Sequence, residues 1–358
     1  MCELEVQMAM AQQASAITKA GALEWLGRLM EQAEVIAPVA GFGGDTVFSP
    51  LRSPAQIRWD FENPLHPPKQ TLLPQTDPIV SIQRDGDCYE VLPIYDESPR
   101  VLFNIRSCDV KGIAFLERMH AADPPDASYL RRAERTAAIS LSCVAPCASC
   151  FCICTDSGPF LRESYDIQLT DLGEDLFVEV GSKKGEALLA GSQDLFRAAT
   201  EPELERRREL EESARRRFGE ETCHFASAMR RISTGRVAEA LWAKMSDWCL
   251  ECGGCNLICP TCYCFSVKDR GSDGRLVRCR MWDSCQYPAF TLEASGHNPR
   301  EQRKDRMKRR FFHKVSAQYY MRDGAIGCVG CGRCVKVCMG TTDMPAVVAA
   351  IRKGSWRG

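Results

Sequence analysis

Between residues 15 and 35, Ile17, Leu23, Trp25, Leu26, Leu29 and Met30 recur at three- and four-residue intervals. That spacing predicts an amphipathic helix. From 36 to 80 Gly and Pro are frequent, which predicts loops and short strands. IVSIQ (79–83), CYEVLPI (88–94) and VLFNI (101–105) have the β-branched content and length of strands. ASYLRRAERT (127–136) reads as a helix, AAISLSC (137–143) as a buried strand delivering Cys143 at its end, and LFVEVGS (176–182) as a further strand. Residues 1–182 are therefore expected to form a mixed α/β domain.

The pattern turns helical afterwards. In the run 201–217 opposite charges stand three or four residues apart, which supports a solvated helix, so 183–240 is read as a helical linker. From 223 onward helical signal is interrupted by cysteine motifs. The basic run PREQRKDRMKRRFFHKV (299–315) is read as a helix surface, or as one neutralising a nearby anionic cluster. It has no aromatic array around it, so nucleic acid is not expected as a partner.

Composition adds one thing. A net charge of −1 and a hydrophobic content of 45% are ordinary for a soluble globular protein, but 21 cysteines are not. The choice is between a secreted disulfide scaffold and a reduced metal protein. The N-terminal residues carry early acidic side chains and no basic start followed by an apolar run, so no signal peptide is expected. No apolar segment approaches the roughly 20 residues of a membrane helix. The thiol count is odd, and many thiols lie two residues apart, too close to pair easily. The expectation is a cytoplasmic, reduced chain with its thiols mostly on metal.

Two motifs share one spacing. Cys249, Cys252, Cys255 and Cys259, followed by Pro260, form C-x2-C-x2-C-x3-C-P; Cys328, Cys331, Cys334 and Cys338 repeat it, with Met339 in place of proline. This is the spacing of two-cluster ferredoxins, in which the fourth cysteine of each run ligates the other cluster. Cys249, Cys252, Cys255 and Cys338 are thus expected to hold one [4Fe–4S] cluster, and Cys328, Cys331, Cys334 and Cys259 a second. Tetrahedral zinc has no use for three thiols two residues apart plus a fourth. Gly253, Gly254, Gly330 and Gly332 suit a tight backbone around such a group. The motifs lie about 70 residues apart, and the intervening RKDRMKRRFFHKVSAQYYM (303–321) reads as helical. The fold class expected is α+β, with an all-helical two-cluster ferredoxin-like domain over 241–358.

Thirteen cysteines remain. Cys143, Cys147, Cys150, Cys152 and Cys154 crowd into CVAPCASCFCIC, with Cys108 upstream in IRSCDVKG. A third cluster held by three or four of Cys143, Cys147, Cys150 and Cys152, with Cys108 as the alternative ligand, competes with a mixture of buried apolar thiols and one structural metal. For Cys262, Cys264, Cys279 and Cys285 plain burial competes with tuning of a cluster or one more metal. Cys2, Cys88 and Cys223 are isolated and receive no role. Neither G-x-G-x-x-G nor G-x-x-x-x-G-K-[ST] occurs, and GFGGD (41–45) lacks the first pattern, so no flavin or NAD(P) site is expected in this chain.

Several segments together resemble one family: PPKQTLLPQ (67–75), IRSCDVKGI (105–113), LSCVAPCASCFC (141–152), CLECGGCNLICPTCYCF (249–265), RMWDSC (280–285), SGHN (295–298) and GCVGCGRCVKVC (327–338). In this order they are similar to the iron–sulfur beta subunit of NAD(P)-linked [NiFe] sulfhydrogenases and the related A subunit of anaerobic sulfite reductases. Cys154 departs from the family pattern. The resemblance implies a subunit that passes electrons between a flavin subunit handling NAD(P)H and a catalytic subunit of hydrogenase or sulfite-reductase type, with no catalytic residue of its own. Two other readings compete: an enzyme using an open-site cluster in CVAPCASCFC, and a metal scaffold without redox duty.

Overall fold

The computed structural model describes residues 14–219, 223–272 and 274–357. Cys2 and the residues that argue against a signal peptide lie outside them. The predicted helix over 15–35 is shorter than expected. Ser15–Thr18 is a strand, β1, and the helix, α1, spans Lys19–Met30, starting where the Thr18 side chain accepts from the Gly21 amide at 3.0 Å. It buries Ala22, Trp25, Leu26 and Leu29.

The chain then gives β2 (Glu34–Ala40), β3 (Thr46–Pro50), β4 (Thr76–Asp85), β5 (Cys88–Pro93), β6 (Arg100–Arg106), α2 (Ser107–Ala121), α3 (Ala127–Glu134), β7 (Thr136–Leu141), β8 (Ile167–Asp171), β9 (Asp175–Val180), α4 (Lys183–Ala190), β10 (Arg197–Ala198) and α5 (Glu201–Arg217). A mixed sheet of eight strands runs in the order β10-β1-β9-β8-β7-β6-β2-β3. Its centre is parallel: β2 on β6, β6 on β7, and β7 on β8. The parallel strands are nearly continuous in apolar residues, as strands covered on both faces must be. Val101, Phe103, Ile139, Leu141, Ile167 and Leu169 share one core with Trp25, Leu26 and Leu29, and Trp25 meets Phe103 edge-on at 5.6 Å. β6 and β7 end at Arg106 and Leu141, which delivers Cys108 and Cys143 at the same edge, beyond the carboxyl ends of two parallel neighbours.

Downstream lie α6 (Phe225–Ser233), α7 (Glu239–Ser246), α8 (Gly254–Leu257), β11 (Phe265–Ser272), β12 (Arg275–Trp282), α9 (Arg303–Val315), α10 (Ala317–Asp323), α11 (Arg333–Val337) and α12 (Met344–Lys353). The expectation of an all-helical region over 241–358 is wrong. β11 and β12 form an antiparallel hairpin inside the insert between the two cysteine motifs. It completes a four-stranded sheet with β4 and β5, in the order β11-β12-β4-β5. The helical run 303–321 does form, as α9 and α10, but the preceding residues carry β-branched and aromatic side chains about a Gly-containing turn, and those govern 265–282.

The hairpin is locked to the first half by charge. Asp77 on β4 is fully buried and accepts from Arg132 of α3 at 2.8 Å and Arg280 of β12 at 2.6 Å. Arg280 also pairs with Asp126, whose carboxyl, against the opposing effect of burial, is held well below the usual carboxylate range by its hydrogen bond with His120 and by the Arg280 guanidinium. Removing Asp77 would take one of two carboxylates from each of two buried guanidiniums, leaving Arg132 with Asp96 and Arg280 with Asp126. Asp77→Ala is expected to cost about 3–5 kcal/mol, read as a lower midpoint in denaturant unfolding followed by circular dichroism.

Candidate metal centres

The two motifs fold into the same local shape. Glu251 and Gly330, each two residues after the first cysteine, have φ of 53° and 59°; Gly253 and Gly332, each one after the second, have φ of 70° and 74°. These left-handed turns start α8 and α11. They also aim backbone N–H groups at sulfur. The Glu251 amide donates to Cys249 and the Gly330 amide to Cys328, the same bond in each copy. The amides of Arg333, Met344 and Thr342 donate to Cys331, Cys334 and Cys338, the last at 3.2 Å.

Each motif contributes to two voids. One is lined by Cys249, Cys252, Cys255 and, from the other motif, Cys338. The other is lined by Cys328, Cys331, Cys334 and, from the first motif, Cys259. Among the described residues no three His, Cys, Asp or Glu side chains converge tightly enough for a single ion. The thiols ring a space instead, as a multi-iron cluster requires. Burial by itself opposes their ionisation, pushing Cys255 and Cys334 up to about 11 and Cys331 up to about 12. They become thiolates only with positive charge among them, which iron supplies.

The protein supplies more. The basic run forms α9, and Arg306, Arg310 and Lys314, at i, i+4 and i+8, are its buried stripe. The stripe runs along the first motif. Arg306 pairs with Glu251, Arg310 donates to Asn256 Oδ1 at 2.9 Å, and Lys314 donates to Thr261 Oγ1 at 2.6 Å. Burial alone would push Lys314 down, but Cys259, Cys262 and Cys328 hold it above the ordinary lysine range. Arg310 feels Cys255 of one set and Cys334 and Cys259 of the other, so it stands between the two voids. Arg310, Lys314 and Arg333 line the second void; among the described residues no cation lines the first, which reaches the surface at Cys252.

The third group of thiols is gathered against the second motif. Phe151 N donates to Gly330 O at 2.8 Å, and a Cβ on Gly330 or Gly332 would fall 2.5 Å from Phe151 O or 2.4 Å from Ser149 O. Asn63 is the buried centre of this contact. Its amide N–H reaches Cys147 Sγ at 3.4 Å, and its Nδ2 reaches Cys108 Sγ at 3.6 Å and Cys331 O at 3.2 Å. Arg333 donates to Asn63 Oδ1 at 2.8 Å and makes a two-pronged pair with Asp109, at 2.6 and 2.9 Å, fully buried. The Ser107 amide donates to Cys143, Cys147 and Cys150 are in thiol contact, and Cys152 feels Cys143 and Cys331. Cys108 and Cys143 also act on each other electrostatically, so Cys108 joins this group although 35 residues separate it from Cys143 in the sequence. Cys154 and Cys223 lie on the far side, against the core of α6, α7, α9 and α12. The sequence reading missed Asn63, Asp109 and Lys69; Asn63 and Asp109 are ordinary polar residues in their own segments, with no local pattern to single them out.

Comparison with known proteins agrees with this geometry. Residues 248–342 match the 4Fe-4S dicluster domain. The chain is 32% identical over 336 residues to the sulfhydrogenase 2 subunit beta of Pyrococcus furiosus, covering 92% of this chain and 96% of that one. The chain belongs to the sulfhydrogenase beta-subunit family. Iron–sulfur clusters of the 4Fe-4S type are the cofactor of its dicluster region. No solved structure matches the chain. No helix among the described residues is long and apolar enough to cross a membrane.

Gly332 and Gly296 separate strain from collision. Both have left-handed φ, but a Cβ at Gly296 meets nothing within 4 Å. Gly296→Ala is expected to cost about 1–2 kcal/mol from the backbone alone. Gly332→Ala adds the clash with Ser149 and should lower the thermal midpoint of the loaded protein clearly further.

Proposed function

We propose that this chain is the electron-relay subunit of a multi-subunit oxidoreductase, with Cys249, Cys252, Cys255 and Cys338 binding one [4Fe–4S] cluster, Cys328, Cys331, Cys334 and Cys259 a second, and the Cys108, Cys143, Cys147, Cys150 and Cys152 group a third. Such clusters, when bound, accept and release single electrons at potentials set by hydrogen bonds to sulfur, charge and exposure. The observation that carries the reading is the exchange of fourth cysteines: each void is walled by three thiols of one motif and one of the other.

The residues of the chain define a direction. The third thiol group packs on Gly330 and Cys331 of the second set, and Arg310 stands between the second set and the first. Beside the first set, Cys252, Trp248, Leu250 and Met339 are exposed, with Met339 81% exposed. That apolar rim supports docking of a partner at the first set, while Arg310, Lys314 and Arg333 stabilise added negative charge at the second. The partners in this reading are a flavin subunit handling NAD(P)H and a hydrogenase-type or sulfite-reductase-type catalytic subunit, in the cytoplasm. The relative's name, a sulfhydrogenase subunit, supports the hydrogenase type.

Anaerobic iron and sulfide analysis is expected to give about twelve irons per chain, four for each [4Fe–4S] cluster; zinc without iron sinks the reading. Crossed ligation is tested by pairs. Cys338→Ser should perturb the same electron paramagnetic resonance signal as Cys249→Ser, and Cys259→Ser the same one as Cys328→Ser; the opposite grouping refutes it. Lys314→Met should lower the reduction potential of the signal grouped with Cys328 more than that grouped with Cys249, because a buried cation favours the more negative, reduced state.

A further inference from the structure

Cys264 and Cys285 belong to none of these three groups, yet the fold sets them side by side. Cys264 immediately precedes β11 and Cys285 lies shortly past β12, so the hairpin that pairs Phe265 with Trp282 closes on the two thiols. Asp283 N donates to Cys264 O at 2.9 Å, the Cys285 amide donates to the Cys264 sulfur, and the two side chains share a thiol–thiol hydrogen bond. Their position is fixed from behind. Asn256, 1% exposed, donates from Nδ2 to Ser284 Oγ and to Cys285 Sγ, each at 3.1 Å, and Gln286 anchors the same segment by donating to Arg306 O at 2.9 Å. Two thiols are half a tetrahedral metal set, and among the described residues no third ligand converges with them.

Both thiols form part of the wall of an open cavity of about 240 Å³. Among the described residues that wall carries three guanidiniums, of Arg300, Arg309 and Arg322, and no carboxylate. Arg309 and Arg322 lie against the Tyr319 ring, 4.9 and 4.4 Å from its centre. Of the three, only Arg322 has an acidic partner among the described residues, Asp323. Arg300 and Arg309 therefore present uncompensated charge to whatever enters, beside two sulfur atoms. The hydrogen bond from Cys264, followed by that of Asn256 and the charge of Arg310, holds the Cys285 thiol below its ordinary range against the effect of burial.

We propose that Cys264 and Cys285 form a thiol–disulfide exchange site for small disulfides that carry negative charge. The guanidiniums hold the carboxylates of the bound disulfide. The Cys285 thiolate attacks one of its sulfurs, forming a mixed disulfide on Cys285 and expelling one thiolate. Cys264 then loses its proton to water and attacks the Cys285 sulfur; the second thiolate leaves, and a Cys264–Cys285 disulfide remains. The pair has lost two electrons and the ligand's S–S bond has gained them, so an excess of the small thiol runs the reaction back. Asn256 stands next to Cys255 in the chain, so the exchange takes place beside the first set of cluster thiols without using any of them.

The test uses full-length, anaerobically reconstituted protein treated with dithiodiglycolate, an anionic disulfide, or with cystamine, a cationic one, then alkylated and mapped by peptide mass spectrometry. Dithiodiglycolate is expected to give a Cys264–Cys285 disulfide with bound iron and sulfide unchanged. Relative to mercaptoethanol as a reference thiol, the site should favour the anionic disulfide by about tenfold or more, and combining Arg300→Met with Arg309→Met should remove that preference. Cys264→Ser should stop at the mixed disulfide on Cys285. Absence of the Cys264–Cys285 disulfide from the map, loss of iron in step with its formation, or equal preference for the two reagents would each overturn the proposal. The map and the reagent comparison need only the parent, so a variant that fails to fold leaves the test standing, and neither of them reads the crossed ligation proposed above.

Discussion

The pair of Arg333 with Asp109 is the joint on which the rest of the arrangement turns. Two opposite charges are taken wholly out of water, and each can be tolerated there only with the other in place. Asp109 belongs to α2, at the edge of the eight-stranded sheet; Arg333 opens α11, in the second cysteine motif. Arg333 also holds Asn63 and the Pro64 carbonyl, and Asn63 in turn touches Cys108, Cys147 and the backbone of Cys331. One guanidinium thereby fixes the spacing between two groups of thiols that come from opposite halves of the chain. The left-handed Gly332 just before it lets the backbone press against Ser149 without a side chain between.

Charge is distributed unevenly over the thiol groups. Arg310, Lys314 and Arg333 surround the deeper set, and Lys69 faces the turn beyond Cys259, while the set that reaches the surface has Glu251 in its lining. Glu251 is itself neutralised by Arg303 and Arg306. The same helix, α9, supplies much of this asymmetry through its buried stripe, with Arg310 and Lys314 at the deeper set.

Much of the candidate site was legible in the chain. The eight motif cysteines announce themselves because their spacing is a local property, and the two-cluster pattern of that spacing already assigns the fourth cysteine of each run to the opposite set, the side on which each lines a void. Strands β6 and β7 were legible too, as short β-branched runs. The hairpin β11–β12 was not: its residues alternate Arg, Lys and Asp with Val, Leu and Met, a half-exposed pattern that the flanking cysteines and the long helical run overshadowed. The stripe on α9 was read as basic, but its burial depends on what lies opposite. Asn63 and Asp109 were invisible because their meaning arises only when distant segments meet. The short helix α1 shows the same limit: Ile17 fits the helical spacing, yet pairing with β9 draws it into a strand.

The four-stranded sheet has a consequence for how the protein is made. Its strands come from 76–93 and 265–282, so β4 waits for a partner nearly two hundred residues further along the chain. Contacts of such separation form late, because the intervening chain must first be ordered. On the ribosome the first half would emerge with β4 unpaired on one side and Asp77 without Arg280. The thiols are therefore brought into register as the last strands close, and maturation of the metal centres becomes part of the final folding step.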